Sequence, residues 1–248
     1  MLCLSFLLGA LVAGKLRWEL ASVGLGAAAL FVSRESLLIW WRARKRGREA
    51  VSARRLFLVY VALAGLCAVP LALAGRLFGL LPVGLVALIL LVITGRQGAA
   101  RKDRTIASEL LAVSAIALTA PATLYAVRGR WEMTGLSLWL LCVLYFGSSV
   151  FYIRMRMLSA RARKPCDRDG FRLACAGYHS SLLIALMLLW LSGSLPAFVL
   201  TAFAPVLGRT FWALARPVGH LDLKRIGILE IAYSFFFLVF AALAFQLG

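Results

Sequence analysis

Apolar residues run almost unbroken through nine stretches of this 248-residue chain, roughly 1–14, 19–41, 56–75, 78–95, 106–127, 134–153, 172–192, 195–215 and 226–246. Most are near the ~20 residues that an α-helix needs to cross a ~30 Å hydrocarbon core. None alternates with period two, so no strand is predicted. The pattern predicts an all-α polytopic membrane bundle of about nine transmembrane helices, a single integral membrane domain over 1–248. The first stretch is short, reaching only about 21 Å at ~1.5 Å per residue. Its "LGALVAG" offers the small residues of a signal-peptide cleavage region, but no positive charge precedes the run. A natural start upstream of Met1 is the expectation.

Composition agrees with the pattern. The chain is 62% hydrophobic and 15% charged, with a mean hydropathy of +0.90, where a soluble domain is about half apolar and a quarter charged. Its net charge of +18 would suit nucleic acid in a soluble protein. Here the bases sit between apolar stretches, which points to anionic lipid and argues against nucleic acid. Lys and Arg number seven in 42–55, four in 96–104, seven in 154–172 and three in 216–225. The alternate connections hold five: Lys15, Arg17, Arg76, Arg128 and Arg130. The positive-inside rule then places the N-terminus inside and the C-terminus outside a bacterial cytoplasmic (inner) membrane, crossed many times. Trp40 and Trp41 beside Arg42, and Trp131 beside Arg130, fit interfacial belts. Cys3, Cys67, Cys142, Cys166 and Cys175 show no metal-ligand spacing, so neither zinc nor a disulfide is expected.

A few ionisable residues fall inside the apolar stretches. They are Arg34 and Glu35 in the second, Glu109 in the fifth, His179 in the seventh, Arg209 in the eighth and Glu230 in the ninth. Each costs at least ~2.5–3.5 kcal/mol near the bilayer centre and usually faces the interior with a partner. Counting helical rise from the nearest loop charge puts them about 7–12 Å deep, all on the basic side. Five helices thus contribute polar groups to one layer, which predicts a polar pocket open to the cytoplasm. Blander roles compete. Glu109 and Glu230 sit in first turns, where an acid favours the helix dipole. Arg34 could snorkel, and a membrane His is often a satisfied packing residue. Arg34 and Glu35 point about 100° apart, so Glu35 is expected to pair with a neighbouring helix. In the sixth stretch Tyr145, Ser148, Ser149, Tyr152 and Arg156 recur on one helical face.

"FVSRESLLIW", "RKDRTIASELLAVSAIALTAPATLYAV" and "LKRIGILEIAYSFFF" resemble the YwiC-like family of bacterial membrane proteins, in order and spacing along nearly the whole chain. The resemblance implies an integral membrane protein without an assigned activity. Family members typically begin with a Pro-x-x-His-Gly-Ala-Trp stretch, which this sequence lacks. The architecture also looks like the UbiA-type intramembrane prenyltransferases. Those hold magnesium and diphosphate on Asp motifs at helix 2 and after helix 6. The corresponding positions here read Ser33-Arg34-Glu35 and Asp167-Arg168-Asp169, so no metal and no cofactor is expected.

Three functions fit. The first is a pocket for an amphipathic anion, an isoprenoid or a phospholipid, UbiA-like without the Asp motifs. Arg34, Glu35, Arg101, Lys102, Arg104, Glu109, Arg154, His179, Arg209 and Glu230 are its candidate ligand-binding residues. Arg binds phosphate directly, often through two hydrogen bonds. The second is a transporter gated at Pro121 and Pro205, although no inverted repeat is evident. The third is a structural or assembly subunit of a membrane complex, docked through its basic loops. Nothing in these residues specifies a reaction.

Overall fold

The computed structural model describes residues 1–47, 49–99, 105–161, 165–216 and 223–247, with the backbone alone at 45, 98–99, 161, 165–168 and 223. Among the described residues the chain is all helix, with no strand. The helices are α1 (Leu2–Ala13), α2 (Trp18–Lys45), α3 (Val51–Leu73), α4 (Leu77–Ala99), α5 (Ile106–Ala117), α6 (Thr119–Arg128), α7 (Met133–Arg161), α8 (Pro165–Leu191), α9 (Val199–Ala215) and α10 (Leu223–Leu247). α5 and α6 form one span, Ile106–Arg128, broken at Leu118. Pro121 has no N–H to donate to the Ala117 carbonyl, which accounts for the break. Counting that pair as one rod, the helices match the nine apolar stretches. Among the described residues, seven rods are long and apolar enough to cross a membrane, whereas α1 and α9 are shorter. The protein is therefore a polytopic helical membrane protein. The chain divides into two compact units, Met1–Cys142 and Val143–Gly248, with the boundary inside α7.

In the first unit α3 packs along α2, α1 along α6, and α4 along α5. The α1–α6 approach is backbone-close. A Cβ at Gly9 would run into the Ala120 carbonyl oxygen and lie 3.0 Å from the Thr123 Cβ. Small residues allow such approaches in lipid, where apolar surface alone does not draw helices together. α3 and α4 are different, since few of their residues are buried.

The sparsely basic connections of this unit meet at one end. Arg128 donates from Nη2 to the Val12 carbonyl (2.7 Å), and Arg17 from Nη1 to the Val127 carbonyl (3.4 Å). Arg128 and Arg130 both grip Glu132, Arg130 from Nε at 2.7 Å. Trp131 donates to the Gly79 carbonyl (3.2 Å) and stacks on Tyr125. Gly129 has φ 76° and lies directly against the Arg76 guanidinium, so a side chain there would be both strained and obstructed.

In the second unit α9 packs against α8 and α10. Buried Tyr145 stacks on Phe237 at 4.1 Å and meets Phe203 edge-on.

Candidate functional site

The polar stripe read on α7 is the seam of the second unit. Tyr145 donates to Ser234 Oγ (3.2 Å) and Ser149 to Glu230 Oε2 (2.8 Å). Glu230 also pairs with Arg209 of α9, whose side chain is only 7% exposed. The Arg209 guanidinium lies 3.9 Å above the Tyr152 ring and 5.0 Å from the Tyr233 ring centre. Its Nε and Nη2 have no hydrogen-bond partner among the described residues. Aromatic faces stand in for water around this cation.

His179 is wholly buried. Its Nδ1 donates to the Cys175 carbonyl (2.8 Å), one turn back on α8, so in the neutral ring Nε2 is an acceptor. Ser148 Oγ lies 2.8 Å and Thr210 Oγ1 3.1 Å from it. Thr210 spends its proton on the Val206 carbonyl (2.9 Å), which leaves Ser148 as the donor. α7 and α8 are thereby hydrogen-bonded at one imidazole, with Thr210 of α9 packed beside it.

In the first unit Arg34 and Glu35 pair with each other at 3.5 Å, with Glu35 69% exposed. Among the described residues this pair lies within α2, the Arg34 stem folding across the ~100° between the two positions. Glu109 is half-buried in the first turn of α5. The turn is capped by Thr105, which accepts from the Ser108 N–H (3.2 Å). Arg154 lies half-buried on α7. Arg101, Lys102 and Arg104 lie outside the described residues.

Sequence reasoning missed two features. One is Glu19, in the first turn of α2 and 2% exposed, with Arg17 Nε 3.5 Å away. Its place at the edge of an apolar stretch made it look like a loop residue, although its acidity suits a helix N-terminus. The other is a chamber of about 540 Å³ within the first unit. α2 lines it along one stripe, from Ser22 through Gly26 and Leu30 to Arg34. α3 contributes Ala64, Cys67, Ala68 and Leu71, and α4 contributes residues from Leu80 to Thr94. Ala112, Ala115 and Ala122 add small side chains from α5 and α6. Arg34 is the one charged residue among the described lining, and the only candidate ligand residue there. At the far end Val23, Leu71 and Ala126 pack together with Leu80 against them. The chamber is lined mainly by apolar residues, and that cluster packs at its Val23 end. Among the described residues no group of His, Cys, Asp and Glu is arranged to hold a metal. Cys3, Cys67, Cys142 and Cys175 are free.

A family model described as YwiC-like protein matches residues 1–124. The chain belongs to the YwiC-like family. The matched part includes every described residue lining the chamber. No curated protein and no solved structure matches this YwiC-like chain.

Proposed function

We propose that this YwiC-like protein binds an amphipathic anion, with the ligand's chain in the chamber and its head at Arg34. The observation that carries the reading is the chamber's asymmetry: small apolar residues along its length, one guanidinium near one end, and a packed cluster at the other. Its volume falls within the ~300–1,000 Å³ range of small-molecule sites. A membrane-embedded arginine marks a functional site by default, and an anionic head group suits it. The Arg34 end leads into the basic connection 42–55, which we assign to the cytoplasmic side of a bacterial inner membrane by its Lys and Arg content. Arg101, Lys102 and Arg104, just ahead of α5 in sequence, would add cations, with Glu35 and Glu109 setting their balance. His179, Arg209 and Glu230 have partners inside the second unit, so the reading gives them the role of holding that unit together. The cluster of Val23, Leu71 and Ala126 at the other end supports a binding pocket over a transport path.

Mass spectrometry of lipids extracted from the purified protein tests this. The expected result is about one anionic lipid per chain. Arg34→Ala should lower its retention roughly tenfold, the effect of about 1.4 kcal/mol, while EDTA leaves it unchanged. Retention that survives Arg34→Ala, or that EDTA abolishes and magnesium restores, would overturn the proposal.

A further inference from the structure

The chamber's wall is uneven. α2 and α4 line it all the way to Arg34 and Thr94, but α3 stops lining it at Ala64. α3 and α4 make few contacts with each other. In the half that contains Arg34, three lining residues are also about half exposed: Leu30 at 53%, Phe31 at 45% and Leu88 at 55%. In a membrane these side chains meet hydrocarbon. From the structure we infer that the chamber opens sideways into the bilayer, between α3 and α4 on the Arg34 side, and takes a phospholipid of that leaflet through this mouth. The inference rests on the lipid-binding reading above and deepens it.

Length sets the class of chain. The α2 stripe from Ser22 to Arg34 spans twelve residues, about 18 Å. One leaflet's share of a ~30 Å core is about 15 Å. A single acyl chain of ordinary length fills the chamber with its phosphate level with Arg34. A polyprenyl chain long enough to cross both leaflets meets the Val23–Leu71–Ala126 cluster and does not fit. A lateral mouth spares the phosphate a passage through hydrocarbon, since head and tail slide in at their own depths. The guanidinium supplies the charge complement, with Nη1 beside Glu35.

Cys67 is a native reporter, because it lines the chamber. The experiment uses the full chain with Cys3→Ser and Cys166→Ser, reconstituted in phosphatidylglycerol nanodiscs. Labelling by an alkyl maleimide is compared with labelling by a membrane-impermeant sulfonated maleimide. The alkyl reagent should modify Cys67 at least tenfold faster. Phe31→Trp and Leu88→Trp, which add bulk at the half-exposed lining positions of the mouth, should slow it several-fold. In delipidated protein, added phosphatidylglycerol should protect Cys67. Equal rates for the two reagents would mean water reaches the chamber and would overturn the lateral mouth, even where lipid retention stands. Protection by a long polyprenyl phosphate but not by phosphatidylglycerol would overturn the choice of chain. Rapid alkyl labelling in a protein that retains no lipid would leave the mouth standing and sink the lipid-binding reading.

Discussion

The two units solve one problem in opposite ways. Lipid tails are as apolar as leucine, so helices in a bilayer need something besides the hydrophobic effect to hold them together. The second unit hydrogen-bonds Ser148 to His179 and Ser149 to Glu230, and pairs Glu230 with Arg209. Every helix from α7 to α10 has a member in these contacts. The first unit relies on backbone contact at Gly9 and on the Arg128–Glu132–Arg130 latch at one end. Its other half is left hollow. Polar interlocking ties the second unit together, whereas small-residue contact leaves room inside the first.

The comparison breaks first at Arg209 and Glu230. Removing either partner leaves a buried charge uncompensated, and Arg209→Ala or Glu230→Ala should cost about 3–5 kcal/mol in detergent unfolding. The double replacement Arg209→Met with Glu230→Leu should recover most of that loss. If the double variant is no better than the singles, the pair does more than satisfy itself. Next, Gly9→Val drives a side chain into the Ala120 carbonyl and should cost about 1–3 kcal/mol, read as a drop in melting temperature.

A sharper contrast comes from changes of a few atoms in each unit. Ser148→Ala removes the donor to His179 Nε2 and should destabilise by about 0.6–1.7 kcal/mol. In delipidated protein, Ala68→Leu adds atoms inside the chamber and should stay within about 0.5 kcal/mol of neutral; in nanodiscs it should lower lipid retention. Overpacking on the scale seen at Gly9 would show that the chamber is not hollow.

The smallest effect belongs to the latch. Arg130, helped by Arg128, holds the Glu132 carboxyl below its usual value of 4.5 against a weaker opposing effect of burial. Because the folded value is the lower one, the latch's contribution is fully present above about 4.5. It fades as pH falls through the depressed folded value. A Glu132→Gln variant should lose this acid sensitivity in unfolding measured from pH 6 down to 3.

Much of this was legible in the chain, for physical reasons. A span must be apolar for its whole length, so the helices announce themselves. The α7 stripe was readable because Tyr145, Ser148, Ser149 and Tyr152 keep helical spacing, and a polar group in hydrocarbon has few excuses. The chamber was not readable. It is made by missing volume at Gly26, Ala64, Ala68, Ala87 and Ala112, and small residues are equally at home in tight contacts, as Gly9 shows. Glu19 escaped because burial at a helix end depends on the loops above it. Pro121 was read as a hinge for gating, and the structure shows a break in a continuous span.

A pocket open to the bilayer changes what free ligand means. The surrounding lipid is itself the reservoir, present at a concentration no soluble ligand attains. Binding to the folded state adds RT ln(1 + [L]/Kd) to stability, about 2.7 kcal/mol when the lipid stands at a hundred times its dissociation constant. Even weak affinity then saturates the site. If the proposed lipid site holds, the melting temperature of this protein becomes a readout of membrane composition, rising with the share of anionic lipid in the Arg34 leaflet and falling as detergent dilutes it away.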